Sequence, residues 1–151
     1  MGGRGRSMNN FVTKINKLES YGAEDFKTPF ALPKNIEEAN DIARYNYRIG
    51  IYKDLPKTPD KLIKKKKIKI SDLFSNQEVV RKSTLLYFAN KKLNPNSILD
   101  NGKRPFVIRS GSTNLIIDGH HRASYAKAIG VQSLDVQVLD LKDIKNYYNL
   151  K

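Results

Sequence analysis

The chain has 151 residues, with 28 Lys and Arg against 15 Asp and Glu for a formal net charge of +13, two histidines and no cysteine. Without cysteine, disulfides, thiolate metal sites and thiol redox chemistry are excluded, and no apolar run approaches the length of a membrane span. So lopsided a charge points to polyanionic partners, and the opening Met1-Gly2-Gly3-Arg4-Gly5-Arg6-Ser7 lacks the apolar core of a signal peptide, implying a cytoplasmic protein.

In chain order, residues 1–8 read as a flexible basic tail and residues 9–60 as a helical extension ending in a linker. Phe11, Ile15 and Leu18 fit one face of a short helix. Tyr21 to Asn35 contains Gly22, Pro29 and Pro33 and reads as an irregular connection. Asn35 then suits the N-cap of a second helix, whose apolar stripe of Ile36, Ala39, Ile42, Ala43 and Tyr47 stops near Gly50. Pro56-Lys57-Thr58-Pro59 marks the boundary before a domain spanning 61–151. Residues 9–55 are the expected contact for a protein partner.

Lys64, Lys65, Lys66 and Lys67 form the densest charge run. Two readings stand side by side: lysines guarding an edge strand, or a patch that contacts DNA phosphates without sequence preference. Ile68 and Ile70 alternate with lysines as in a half-buried strand, and Leu73-Phe74 is an anchor into the core. Gln77 and Glu78 are expected to open a helix running to about Lys91, with Val80, Thr84, Tyr87 and Phe88 on its buried face. Phe106-Val107-Ile108 and Leu115-Ile116-Ile117 flank the turn residues 110–113 as a β-hairpin. Arg122 to Ile129 has helical spacing with a stop at Gly130, Val136 and Val138 supply a last strand, and Asp140 or Asp143 caps a closing helix containing Ile144, Tyr147 and Tyr148. The expected fold class is α/β (α+β), a small mixed β-sheet with packed helices.

Chemistry is expected where the hairpin meets the next helix, in Asp118-Gly119-His120-His121-Arg122, which holds both histidines of the chain. A helix start offers unpaired N–H groups and the positive end of the macrodipole to an anion. Gly119 permits the turn, Arg122 adds a planar fork for phosphate oxygens, and Asp118 either holds a metal or orients an imidazole.

The ordered set from Lys67-Ile68-Lys69-Ile70 through Arg104-Pro105-Phe106-Val107-Ile108, Asp118 to Arg122 and Leu134 to Val138 resembles the ParB/sulfiredoxin superfamily. The Asp-Gly-His-His-Arg variant is most similar to phage-type ParB-like domains and to the free serine kinases of that superfamily. The resemblance implies a nucleotide (ATP, ADP or CTP) held by its phosphates at Gly119, His120, His121 and Arg122, with Mg²⁺ or Mn²⁺ near Asp118. It also implies phosphoryl transfer or nucleotide hydrolysis assisted by His120, His121, Asp118 and Glu78, the last matching the kinases' base toward a substrate hydroxyl. The cysteine of sulfiredoxins is missing, and Gly-Glu-Arg-Arg of the partitioning proteins is replaced by histidines. A phage-type nuclease or DNA-binding accessory protein is the alternative expectation.

Overall fold

Strand-like alternation and helix-like spacing succeed one another along the chain. The structure, a computed structural model, describes residues 11–18, 24–34, 60–96, 105–147 and 149. Its elements are α1 (residues 11–16), β1 (Asp25–Lys27), β2 (Ile63–Lys69), β3 (Leu73–Ser75), β4 (Val79–Arg81), α2 (Lys82–Asn90), β5 (Phe106–Ser110), β6 (Thr113–Asp118), α3 (His120–Ala128), β7 (Ser133–Asp140) and α4 (Leu141–Tyr147).

Five strands make a mixed sheet in the order β2-β7-β5-β6-β3, while β1 and β4 form a separate antiparallel pair. β2 is antiparallel to β7 from Ile63 opposite Leu139 to Lys69 opposite Ser133. β5 runs parallel to β7 and antiparallel to β6, and β3 runs parallel to β6. The expected hairpin is the β5–β6 pair, closed with Ser110 opposite Thr113.

Because successive strand residues point to opposite faces, the sheet has two apolar sides. Ile68, Val107, Ile116, Leu134, Val136 and Val138 pack with Ala123 and Ala126 of α3. On the other side Phe106, Ile108, Leu115 and Leu139 pack with Leu141 and Ile144 of α4. A third cluster, including Ile15, Phe26, Val80, Leu85, Phe88 and Tyr125, joins α1, the β1–β4 pair and α2 to the outer side of α3. The layers therefore run α4, sheet, α3 and then this outer group, with α3 covered on both flanks.

Two helix ends can be traced to single residues of the sequence. After α3, Gly130 adopts φ 84°, its N–H bonds the Lys127 carbonyl at 3.2 Å, and the Val131 N–H bonds that of Ala126 at 2.9 Å. This is the double hydrogen bond of a Schellman stop. At the start of α4 the Lys142 N–H donates to Asp140 Oδ1 at 2.9 Å, which decides the cap between Asp140 and Asp143.

Elsewhere the structure departs from expectation. Residues 24–34 are not merely a connection: they supply β1 and the buried Phe26 and Phe30. Gln77 and Glu78 do not open a helix, since Val79–Arg81 is the strand β4 and α2 begins at Lys82. The β-branched pair Val79-Val80 favours extended backbone, and β1 provides the partner, with Phe26 opposite Val80. Tyr87, expected inside, is 55% exposed, and Leu85 takes its place beside Phe88. The tail 1–8, the helix expected from Asn35, the Pro56–Pro59 linker and Tyr148 lie outside the described residues. Among the described residues, no helix is long and apolar enough to cross a membrane.

Candidate functional site

The bend between β6 and α3 is built on Gly119, the N-cap of α3, which sits at φ 91° and ψ 22°. A Cβ there would lie 2.8 Å from Pro105 Cβ and 2.9 Å from its Cα, so the turn requires glycine both for its left-handed backbone and for its contact with Pro105. No side chain caps α3, and the same is true of α2 at Arg81. Helix starts without a side-chain cap leave backbone donors for other partners.

The two neighbouring imidazoles are separated by the helix they open, since consecutive helical positions face about 100° apart. His120 is buried, with Nε2 unpaired inside the protein. Burial above all, and then a charge on His121, lowers its pKa to about 4, against a raising bond to the Ile116 carbonyl. That bond leaves the proton on Nδ1, so His120 is a neutral ring at physiological pH. His121 is half-buried and lines a cleft. Its Nε2 accepts the Arg81 backbone N–H at 2.9 Å, joining the start of α3 to the end of β4. Burial first, and the Arg81 charge second, lower the His121 pKa, while Asp25 acts in the opposite direction. The Nδ1–H of His121 is thereby its remaining donor.

The cleft has a volume of about 380 Å³ and is lined by Asp25, Gln77, Val79, Val80, Arg81, Thr84 and His121. Ser75 Oγ fixes the loop beneath it, accepting the Gln77 N–H and donating to the Gln77 carbonyl, each at 2.9 Å. Lys82 N–H bonds the Glu24 carbonyl at 2.9 Å and tethers α2 to the segment that carries Asp25. A size of a few hundred Å³ suits a small ligand. Against known protein families, curated proteins and solved structures, the chain has no match.

Of the residues singled out from sequence, His121 lines the cleft and Gly119 carries the helix start beside it. Arg122 is buried and Asp118 half-buried, and each has an interaction partner of its own. Glu78 is exposed beside Gln77, its carbonyl accepting the Thr28 N–H at 2.7 Å, and it does not line the cleft. Lys64 to Lys67 lie on β2, the far edge of the sheet. Among the described residues, no three His, Cys, Asp or Glu side chains gather as a metal cage. Mg²⁺ is usually held by one or two carboxylates together with substrate phosphates and waters, so Asp118 would hold such an ion alongside a bound phosphate.

Asp25, Arg81 and Thr84 were missed. Arg81 carries the same charge as many surface residues, and only the pairing of β4 with β1 brings it and Asp25 to His121. No local signal marked Arg81, because a helix read as opening at Gln77 hides the strand-to-helix boundary that it occupies.

Proposed function

We propose that this chain is a ParB/sulfiredoxin-like domain that binds a nucleotide through its phosphates in the cleft between the starts of α2 and α3. The observation that carries the reading is that Arg81 and His121, each at the start of a helix with no side-chain cap, line one cleft. Arg81 supplies the planar cation expected of Arg122. The His121 Nδ1–H and the Thr84 hydroxyl are further donors, and the helix starts add favourable dipoles for an anion.

Asp25 distinguishes a nucleotide from free phosphate. A carboxylate repels a phosphate but accepts hydrogen bonds from ribose hydroxyls, so Asp25, opposite Arg81 in the β1–β4 ladder, favours a ligand that carries hydroxyls beside its phosphates. Phosphoryl transfer or hydrolysis is the reaction that the resemblance implies, and these residues would contribute positioning and charge neutralisation to it. Glu78 stands outside the cleft and is given no role as base.

The test is a thermal-shift series of the full chain with ATP, ADP, CTP and GTP, each with and without Mg²⁺, beside inorganic phosphate and the Arg81→Ala variant. A ligand bound only by the folded state raises Tm by mass action. One nucleotide is expected to raise Tm more than phosphate does, and Arg81→Ala to remove the rise. The reading fails if no nucleotide acts, or if the rise survives Arg81→Ala. Phosphorus NMR of the stabilising nucleotide then reports whether it is turned over.

A further inference from the structure

β2 is an end strand of the sheet, paired with β7 along its 7 residues and, among the described residues, with nothing on its outer side. An end strand directs half of its N–H and C=O groups outward. Lys64, Lys65, Lys66, Lys67 and Lys69 are all exposed on this one. Its register splits the charges between the two faces. Lys64 and Lys66 stand opposite Val138 and Val136, whereas Lys65, Lys67 and Lys69 stand opposite Gln137, Asp135 and Ser133.

This two-faced arrangement discriminates between partners. A nucleic acid lying on one face of the sheet reaches only the lysines of that face. A polypeptide strand added at the edge has the same alternation, and places a side chain about 5 Å from each lysine on both faces. The inner side already shows such a pair: Lys67 Nζ approaches Asp135, its neighbour across the ladder, at 3.7 Å. A second copy of β2 is disfavoured, because lysine would meet lysine.

We propose that the outer edge of β2 takes up an acidic, extended segment of a partner protein as an additional strand. The backbone ladder supplies affinity, and lysine–carboxylate pairs on both faces select against neutral and basic strands. β2 is at the opposite edge of the sheet from β3, which leads into the cleft residues 77–84, and the proposal does not depend on nucleotide binding.

The probe is a short Glu/Thr peptide with glutamates on both alternations, beside the same peptide N-methylated along its backbone, which keeps every charge but cannot form the ladder. Binding to the full chain is read by fluorescence anisotropy, and the site by hydrogen exchange of the β2 amides. The parent peptide is expected to bind and to slow exchange in residues 63–69, with the methylated form at least about tenfold weaker. Lys64→Gln combined with Lys66→Gln, both at exposed positions, should weaken the parent peptide about fivefold. With the peptides, any of three results overturns the proposal: no binding of the parent peptide, equal binding of the methylated one, or outward β2 amides already protected in the free chain. A single-stranded oligonucleotide that displaces the peptide and protects the same amides would instead assign the edge to nucleic acid.

Discussion

Gly119→Ala separates two costs that the structure places on one residue. The first is backbone: an alanine held at φ 91° pays about 1–2 kcal/mol for the left-handed conformation. The second is steric: the new methyl would lie 2.8 Å from Pro105 Cβ and 2.9 Å from its Cα, and Pro105 is itself buried. Relieving such an overlap in packed surroundings costs about 1–3 kcal/mol. Together the substitution should destabilise the fold by about 2–5 kcal/mol. Gly130→Ala is the internal control, because Gly130 has a similar φ of 84° but nothing within 4 Å of the added carbon. It should lose only the backbone part, about 1–2 kcal/mol. Urea denaturation followed by circular dichroism measures both, and the difference between them isolates the contact with Pro105. If Gly119→Ala costs no more than Gly130→Ala at equal m-values, the start of α3 is not packed against Pro105 as described, and the placement of His121 in the cleft loses its support.

Three further outcomes are expected from the packing and the ionisation. The unfolded chain protonates His120 near pH 6.5 and the folded chain only near about 4, so its stabilising effect is complete above pH 6.5 and is lost as pH falls toward 4. That difference is worth about 3 kcal/mol at most. His120→Gln should therefore flatten the loss of stability between about pH 7.5 and 4.5 in urea titrations, and an unchanged slope would remove His120 from the account. The lowered pKa of His121 acts in the same direction. Asp140→Ala removes the cap bond to Lys142 N–H and should cost about 1 kcal/mol, whereas Asp143→Ala should not reproduce that loss. Ile15 is fully buried among Phe26, Val80 and Leu85, so Ile15→Ala should cost about 2–5 kcal/mol in a single cooperative transition. A loss under about 0.5 kcal/mol there would mean that α1 does not share the core.

Much of the sheet was legible because its signals are local. Ile68 among lysines, Leu115-Ile116-Ile117 before Asp118-Gly119, and Val136 with Val138 each state a strand through their own spacing, and all fall in β2, β6 or β7. Gly130 and Asp140 are equally local, since a helix end is satisfied by residues within one turn of it. The pairing of β1 with β4 was not legible, because Asp25–Lys27 and Val79–Arg81 are too short to show a period and each needs the other to be a strand. The same holds for the cleft. Arg81, Thr84 and Asp25 have no spacing relationship to His121, and meet it only through that pairing and through α2 lying beside α3.

The amino-acid order by itself determined that a glycine turn opens a helix with two adjacent imidazoles, and that a lysine run accompanies the strand around Ile68. It could not say which imidazole turns inward. Tertiary packing decided that His120 is enclosed and neutral while His121 meets Arg81 in the cleft. The physical reason is that a helix sets only the angle between neighbouring side chains, whereas the layers packed around α3 set which direction is dry.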